Sequence, residues 1–187
     1  MSVFRKHFDR FAQRLIDRHL CQRPDFIIGG HDNPYLLRWY LMPWRHWHRQ
    51  GRENPTAWNR VRGWLGFVLP SVYLHCILRS DDDRALHDHP WLWCSILLRG
   101  RYVEHTINAG GIHVRQERRA GDVKISRPRR AHRVELVGGC CWTLFIIGPR
   151  VRNWGFHCAE RGWVPWQTFT AADDPGSIGR GCGEPRA

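Results

Sequence analysis

The chain has 187 residues, which is enough for one domain with a full hydrophobic core. Hydrophobic residues make up 42% of it, a share that argues against global disorder. The formal net charge is +12 and is carried mostly by arginine, so an anionic partner such as nucleic acid has to be considered. Because the arginines are spread from Arg5 to Arg186, we favour a basic surface over a specific nucleic-acid interface.

Cysteine usage and apolar patterning bear on where the protein works. The seven cysteines include no Cys-x-x-Cys pair, which argues against a cysteine-bound zinc ion. The start of the chain is charged and amphipathic, so we expect no signal peptide, and the apolar runs are too short to span a bilayer. We therefore expect a cytoplasmic protein with free, mostly buried thiols and no membrane partner.

Residues 1–66 predict a helical and irregular extension. Phe4, Phe8, Phe11 and Leu15 recur at helical intervals, which predicts a helix over the first twenty residues. We expect this helix to pack on the following domain, although a cationic amphipathic helix also suits a membrane surface. The extension further predicts a strand at residues 35–41, a loop at residues 44–52, and a short helix at residues 56–65 with Asn54 as its cap and Pro55 opening it.

From residue 67 to residue 172 the pattern is one of short strands separated by glycine turns. The strand-like runs are residues 71–79, 91–98, 101–107, 112–117, 123–126, 133–137 and 142–147. Such a series predicts an all-β protein, either an antiparallel barrel or a sandwich. Residues 173–187 are rich in Gly, Pro and Arg and predict a flexible tail.

The sharpest local feature is His87-Asp88-His89. Residues two apart on a strand point to the same face, so both imidazoles can reach one metal ion. Pro90 then ends strand pairing, as at the rim of a barrel. Isolated His-x-His pairs also occur among ordinary core and surface histidines. The spacing of the residues around the pair therefore decides how strongly it indicates a metal site.

That spacing resembles two sequence motifs of the cupin superfamily. His89 and Gly100 are eleven residues apart, like the second histidine and closing glycine of G-x5-H-x-H-x3,4-E-x6-G. Gly121 and His132 are again eleven apart, as in G-x5-P-x-G-x2-H-x3-N, with Pro128 before the histidine. The resemblance covers about residues 80–137. It implies a cupin-type antiparallel β-barrel, a jelly roll, with a metal ion on His87, His89 and His132.

The sequence departs from these motifs at several positions. Asp81 stands at the leading glycine of the first motif, Arg129 replaces the turn glycine of the second, and Leu136 falls at its final asparagine. The glutamate that usually completes the metal site falls at Trp93, which cannot bind metal. The resemblance therefore implies a three-histidine site like that of the thiol dioxygenases of the superfamily.

Three neutral imidazoles leave coordination positions open, which is typical of a catalytic metal site. We expect one divalent metal ion, with Fe(II) favoured and Zn(II), Mn(II) or Ni(II) as alternatives. Glu104 and Asp83 are candidate fourth ligands. Cys94 lies next to Trp93 but should point to the opposite face of its strand.

Two residues in the strand that follows Gly100 are candidate catalytic groups. Tyr102 and Glu104 lie two apart and share a strand face, so they are either a proton donor and a base or an ordinary solvated edge. His75, in the preceding strand, either faces the barrel interior as a substrate-binding group or is an ordinary core histidine.

Arginines and a tryptophan are candidate substrate-binding residues. Arg130 and Arg133 flank His132 and can fork onto a carboxylate or phosphate of a substrate. Trp93 is expected in the wall of the cavity or in the core.

These features lead to three hypotheses on function. The first is a metal-dependent enzyme, most concretely an Fe(II) dioxygenase acting on a small anionic or thiol substrate. The second is a non-catalytic cupin that binds a small molecule or a carbohydrate, because fold does not fix function. The third is a nucleic-acid-associated basic protein. We expect a small-molecule substrate and no specific nucleic-acid partner, and the sequence leaves the oligomeric state open, a homodimer included.

Overall fold

The helices lie mostly in the first third of the chain. The computed structural model describes residues 3–81, 85–172 and 177–183. α1, Val3–Leu20, confirms the helix predicted for the first twenty residues. α2, Pro43–Glu53, and α3, Ala57–Val68, follow as a packed pair, and a short α4 spans Trp166–Phe169.

The α2–α3 pair corrects two predictions. Residues 44–52, predicted as a loop, are helical, and α3 is capped by Thr56 instead of Asn54. The Thr56 hydroxyl accepts a hydrogen bond from the backbone N–H of Asn59 at 3.2 Å, which satisfies one of the free donors at the helix start. The two helices approach closely at Gly51, where a Cβ would lie 2.7 Å from the Asn59 carbonyl oxygen. Packing through glycine requires no apolar stripe, so the sequence pattern did not indicate a helix here.

The strands match the predicted runs closely. All seven runs predicted from residue 67 onward correspond to β3 and to β5 through β10, to within two residues at either end. Numbered in chain order, the strands are β1 Phe26–Ile28, β2 Leu36–Tyr40, β3 Ser71–Ile77, β4 Leu86–His87, β5 Trp93–Arg99, β6 Arg101–Ile107, β7 His113–Arg119, β8 Val123–Ser126, β9 Arg133–Leu136, β10 Cys141–Ile147, β11 Gly155–Cys158 and β12 Gly162–Pro165.

These strands build two antiparallel sheets. The first has the order β1-β2-β3-β10-β5-β8. In the second, β12-β11-β4 and β7-β6-β9 are joined by a bridge between His87, at the end of β4, and His132, just before β9. Successive strands pass back and forth between the two sheets, which is the jelly-roll arrangement. The prediction of an antiparallel β-barrel of the jelly-roll type with an N-terminal helix is confirmed.

Residues before 67 contribute to the wall of this barrel. β2 pairs with β3 from Leu36 opposite Ile77 to Tyr40 opposite Tyr73, and β1 pairs with β2 at the sheet edge. The segment predicted as an extension therefore supplies two strands of the first sheet as well as three helices.

Both faces of the first sheet are covered. On the outer face, Trp39, Leu74 and Trp142 pack against Ala12 and Ile16 of α1. Side chains alternate along each strand, so their neighbours point into the barrel. The inner cluster that borders the histidines consists of Tyr73, Trp93, Phe145 and Ile147.

Part of the predicted flexible tail has a described structure. Ile178 forms a β-bridge with Thr170, and Cys182 is joined to Cys158 by a disulfide. Two of the cysteines expected to be free thiols are thus paired, because the tail returns to β11. Within the described residues, no helix is both long and apolar enough to cross a membrane.

The packing of α1 gives a test of the fold. Ile16 is fully buried between α1 and the first sheet, so Ile16→Ala should lower the free energy of unfolding by about 2–5 kcal/mol through lost burial and a residual cavity. Phe4→Ala, on the same helix at 80% exposure, is the matched control and should change it by less than about 0.5 kcal/mol. Chemical denaturation measures both, and equal effects would contradict the assigned face of α1.

Candidate metal centre

Three histidines from two separate segments meet at the bridge between β4 and β9. The backbone N–H of His87 donates to the carbonyl oxygen of His132 at 2.9 Å, and the N–H of His132 donates back to His87 at 2.8 Å. His89 follows two residues after His87 and points the same way, as predicted. One ligand atom from each of the three lies within 4.8 Å of the other two, and the Nε2 atoms of His89 and His132 are 2.9 Å apart.

The donor set has the chemistry of a divalent metal site. Burial, reinforced by the neighbouring histidines, holds the pKa of His89 well below its ordinary value. Burial and the proximity of His87 do the same for the pKa of His132. Both rings are therefore neutral at physiological pH, which is the form that binds metal. Imidazole nitrogens suit Fe, Zn, Ni and Cu, so these residues fit the ion that the motif resemblance implies.

Carboxylates stand behind two of the rings. Glu104 Oε1 lies 3.0 Å from Nδ1 of His132, and Asp81 Oδ2 lies 3.6 Å from Nδ1 of His87. Glu104 therefore leaves the Nε2 atom of His132 facing His89. Such partners fix the tautomer and orientation of metal-binding histidines, and their loss typically costs about 10–100-fold in metal affinity.

Glu104 was a candidate fourth ligand and a candidate catalytic base. Its side chain is buried and also accepts hydrogen bonds from Lys124 and from Arg118, the latter at 3.0 Å. The oxygen that contacts His132 does so on the side away from His89, so Glu104 occupies the position of an orienting group. Asp83, the other candidate ligand, lies outside the described residues.

Lys124 is a buried cation that the sequence analysis did not single out. Burial lowers its pKa to about 7, and Arg130 acts in the same direction. Its Nζ lies 4.7 Å from the centre of the Trp93 ring while it contacts Glu104. The alternation of β8, which places Lys124 on the same face as Ser126, was the signal available in the sequence.

Asp88 points away from the two histidines that flank it and holds their segment in place. It is 1% exposed, and it accepts hydrogen bonds from the Gly155 N–H at 3.0 Å and from the side chains of His157 and Trp163, both at 3.1 Å. An ion pair with Arg152 at 2.7 Å completes the set. Burial alone would raise the pKa of Asp88, but His157 and Arg152 bring it below its ordinary value.

The histidines open onto a cavity of about 550 Å³ inside the barrel. Trp93, at the position usual for glutamate, lies in its wall, with ring centres 5.2 Å from His89 and 5.1 Å from His132. This placement agrees with the strand register assigned from the motif. Tyr102 also lines the cavity, and burial raises its pKa to about 12, so its hydroxyl keeps its proton.

The arginines that line the cavity are not those expected from the sequence. Arg130 is exposed and contacts Asn108 at 3.3 Å, and Arg133 lies against His105 and Glu135 on another part of the surface. Among the described residues the arginines that line the cavity are Arg38, Arg45, Arg79 and Arg150. His75 lines it too, as one of the two alternatives predicted, and accepts a hydrogen bond from Arg38.

The fold and this site together define a jelly-roll barrel with a cluster of three histidines whose geometry suits a metal ion. No family model and no curated protein matches the sequence. Among solved structures, the chain is similar to Fe(II)-HppE with an alternative substrate, at 12% identity and a TM-score of 0.44, over 67% of this chain and 56% of that one. It is also similar to the Bacillus subtilis oxalate decarboxylase with Mn(II) centres, at 17% identity and a TM-score of 0.44, over 74% of this chain and 31% of that one.

A third similar structure is a cupin superfamily protein from Desulfitobacterium hafniense, at 12% identity and a TM-score of 0.34, over 43% of this chain and 67% of that one. The chain thus spans about half of the first of these proteins and under a third of the second. These likenesses are distant, so we assign the site from this chain's own strands and side chains.

The three-histidine cluster predicts a defined metal content. Purified protein reconstituted with Fe(II) or Zn(II) should hold about one ion per chain, and His87→Ala, His89→Ala and His132→Ala should each lose most of it, since two imidazoles bind far more weakly than three. His75→Ala is the matched control, because His75 is buried in the same cavity outside the cluster. Elemental analysis measures the number of metal ions per chain. Full metal content in all three variants would show that the site lies elsewhere.

The position of Trp93 allows a stricter test of register. Trp93→Glu should add a carboxylate beside His89 and His132 and tighten divalent metal binding by about tenfold or more. Cys94→Glu is the control, since the next residue on the strand points to the opposite face. Competition with a chelating dye measures both affinities, and unchanged binding by Trp93→Glu would mean that the strand is shifted.

Proposed function

We propose that this chain is a metal-dependent enzyme that binds one divalent ion, Fe(II) by preference, and acts on a small anionic or thiol substrate. A dioxygenase-type oxidation is the most concrete form of the proposal. The observation that carries it is the convergence of three imidazole rings on a partly open cavity, with Trp93 instead of a carboxylate at the remaining wall position. Such a set leaves coordination positions for a substrate atom and a second molecule.

His87, His89 and His132 would hold a bound ion, which would supply Lewis-acid and redox chemistry. Glu104 and Asp81 hold the His132 and His87 rings in the orientation that this chemistry needs. Trp93 and Phe145, whose ring centres are 5.3 Å apart, close the wall beside His89 and exclude water. Tyr102, with a protonated hydroxyl, is the proton donor we propose at the cavity surface.

A non-catalytic binding role is the second candidate. The aromatic lining of the cavity, which includes Trp91, Trp154 and Phe156, would hold a small apolar ligand whether or not it reacts. The same three histidines would then hold a structural or sensing ion, so turnover separates the two candidates.

Open coordination and turnover can be measured in one set of experiments. Protein loaded anaerobically with Fe(II) should give a high-spin iron–nitrosyl signal with nitric oxide, because three protein ligands leave room for it. Oxygen uptake is then followed with a panel of small carboxylates and thiols, with His132→Ala as the metal-deficient control. Uptake that depends on substrate and on His132 supports the enzyme. Ligand binding without uptake would favour the non-catalytic role, and absence of the nitrosyl signal would contradict open coordination.

A further inference from the structure

We infer that Arg38, assisted by Arg45, forms a carboxylate-binding subsite in the cavity, so that the ligand is a carboxylate with an apolar or aromatic body. The inference rests on the proposed function for where the reacting end lies, at the three histidines. The position of the anion rests on Arg38 itself.

The Nε atom of Arg38 is hydrogen-bonded, whereas the two Nη nitrogens of its guanidinium are available to a ligand. Arg38 lies on β2 directly opposite His75 on β3, and its Nε donates to His75 Nε2 at 2.9 Å. Its guanidinium stacks on the Tyr73 ring at 4.9 Å. Within the described part of the chain, no side chain or backbone oxygen accepts a hydrogen bond from its two Nη nitrogens. Those nitrogens form the planar fork that pairs with a carboxylate through two parallel hydrogen bonds.

The charge of Arg38, a half-buried side chain, has no counter-ion among the described residues, unlike the buried charges of Glu104 and Asp88. Glu104 is balanced by Lys124 and Arg118, and Asp88 by Arg152. Arg38 forms no ion pair with any acidic residue in the described ranges. A half-buried guanidinium without a counter-ion is partly desolvated at a cost, and a ligand carboxylate paired with Arg38 would offset that cost.

The residues around Arg38 add to its unpaired positive charge. Arg45, at the start of α2, lies 5.9 Å from the centre of the same Tyr73 ring and adds a second positive charge to the cavity. Among the described lining residues the acidic one is Asp81, and its oxygens are occupied by Tyr35, the Val134 N–H and His87. The cavity therefore presents a net positive end that an anionic ligand would complete.

The spacing of the site indicates the shape of the ligand. Between Arg38 and His89 lie the stacked rings of His75 and Phe145, with centres 5.0 Å apart, and Phe145 is 5.9 Å from His89. A ligand that reaches both ends must span this aromatic wall. An acid with an apolar body, such as an arylalkyl carboxylate, fits better than a short amino acid, because the wall offers stacking surface and few polar partners.

The probes are 3-phenylpropionate and its uncharged analogue 3-phenylpropanamide, with binding measured by calorimetry or ligand-observed NMR. The wild-type chain should bind the acid more tightly than the amide. Arg38→Met should weaken the acid by about ten- to a hundredfold and leave the amide nearly unchanged, since hydrogen bonds to a charged group are lost. Arg38→Lys keeps the charge without the fork and should fall between. Arg60→Met, on exposed α3, is the matched control and should not change either ligand.

The wild-type comparison of acid with amide does not depend on any variant folding, and thermal melts check the variants. Equal binding of acid and amide, no binding of the acid at millimolar concentration, or an unchanged acid affinity in Arg38→Met would each overturn the subsite. Repeating the titrations with metal-free protein separates this inference from the proposed function. Arg38-dependent acid binding in a chain that never holds metal would leave the subsite standing and remove the enzyme proposal. Metal binding together with an acid affinity that does not depend on Arg38 would remove the subsite and leave the enzyme proposal standing.

Discussion

The site depends on one pair of backbone hydrogen bonds, those that His87 and His132 exchange. This bridge joins the two halves of the second sheet and thereby closes the barrel. It also sets two ligands side by side, because residues paired directly across antiparallel strands lie close together. His89 is brought into reach by the two-residue period of the chain. Closing the fold and assembling the metal centre are therefore the same event.

Around this bridge, buried charged side chains lie in successive shells behind the histidines. Glu104 lies behind His132 and is itself held by Lys124 and Arg118, so the His132 ring is oriented while it stays neutral. Asp88 ties the ligand segment to β11 and β12 on the other side. Buried networks of this kind are stable only when each member has a partner, and here the members do. The cavity side is built differently, with aromatic walls and cations at the end remote from the histidines.

The sequence predicted the part of the site that depends on local spacing. The histidine separations, the glycine turns and the replacement of the usual glutamate by Trp93 can all be read from short stretches of sequence. The strands can be predicted from the alternation of residue types along the chain. Arg38 could not be found in this way. It lies in a segment with no motif, and only the pairing of β2 with β3 brings it beside His75. α2 was missed for a different reason: none of its described side chains is fully buried, and its apolar residues Trp44 and Trp47 stand among arginines and histidines.

The bridge also connects binding with folding free energy. His89 and His132 are 43 residues apart in the chain, so the unfolded polypeptide presents no assembled site. An ion that binds only the closed barrel stabilises it by mass action, by about 2.7 kcal/mol when the free ion is at a hundred times its dissociation constant. Under the proposed metal binding, the pairing between the halves of the second sheet would become more stable as the concentration of free metal rises. The metal occupancy of the site and the free energy of unfolding would then be linked, so that each raises the other.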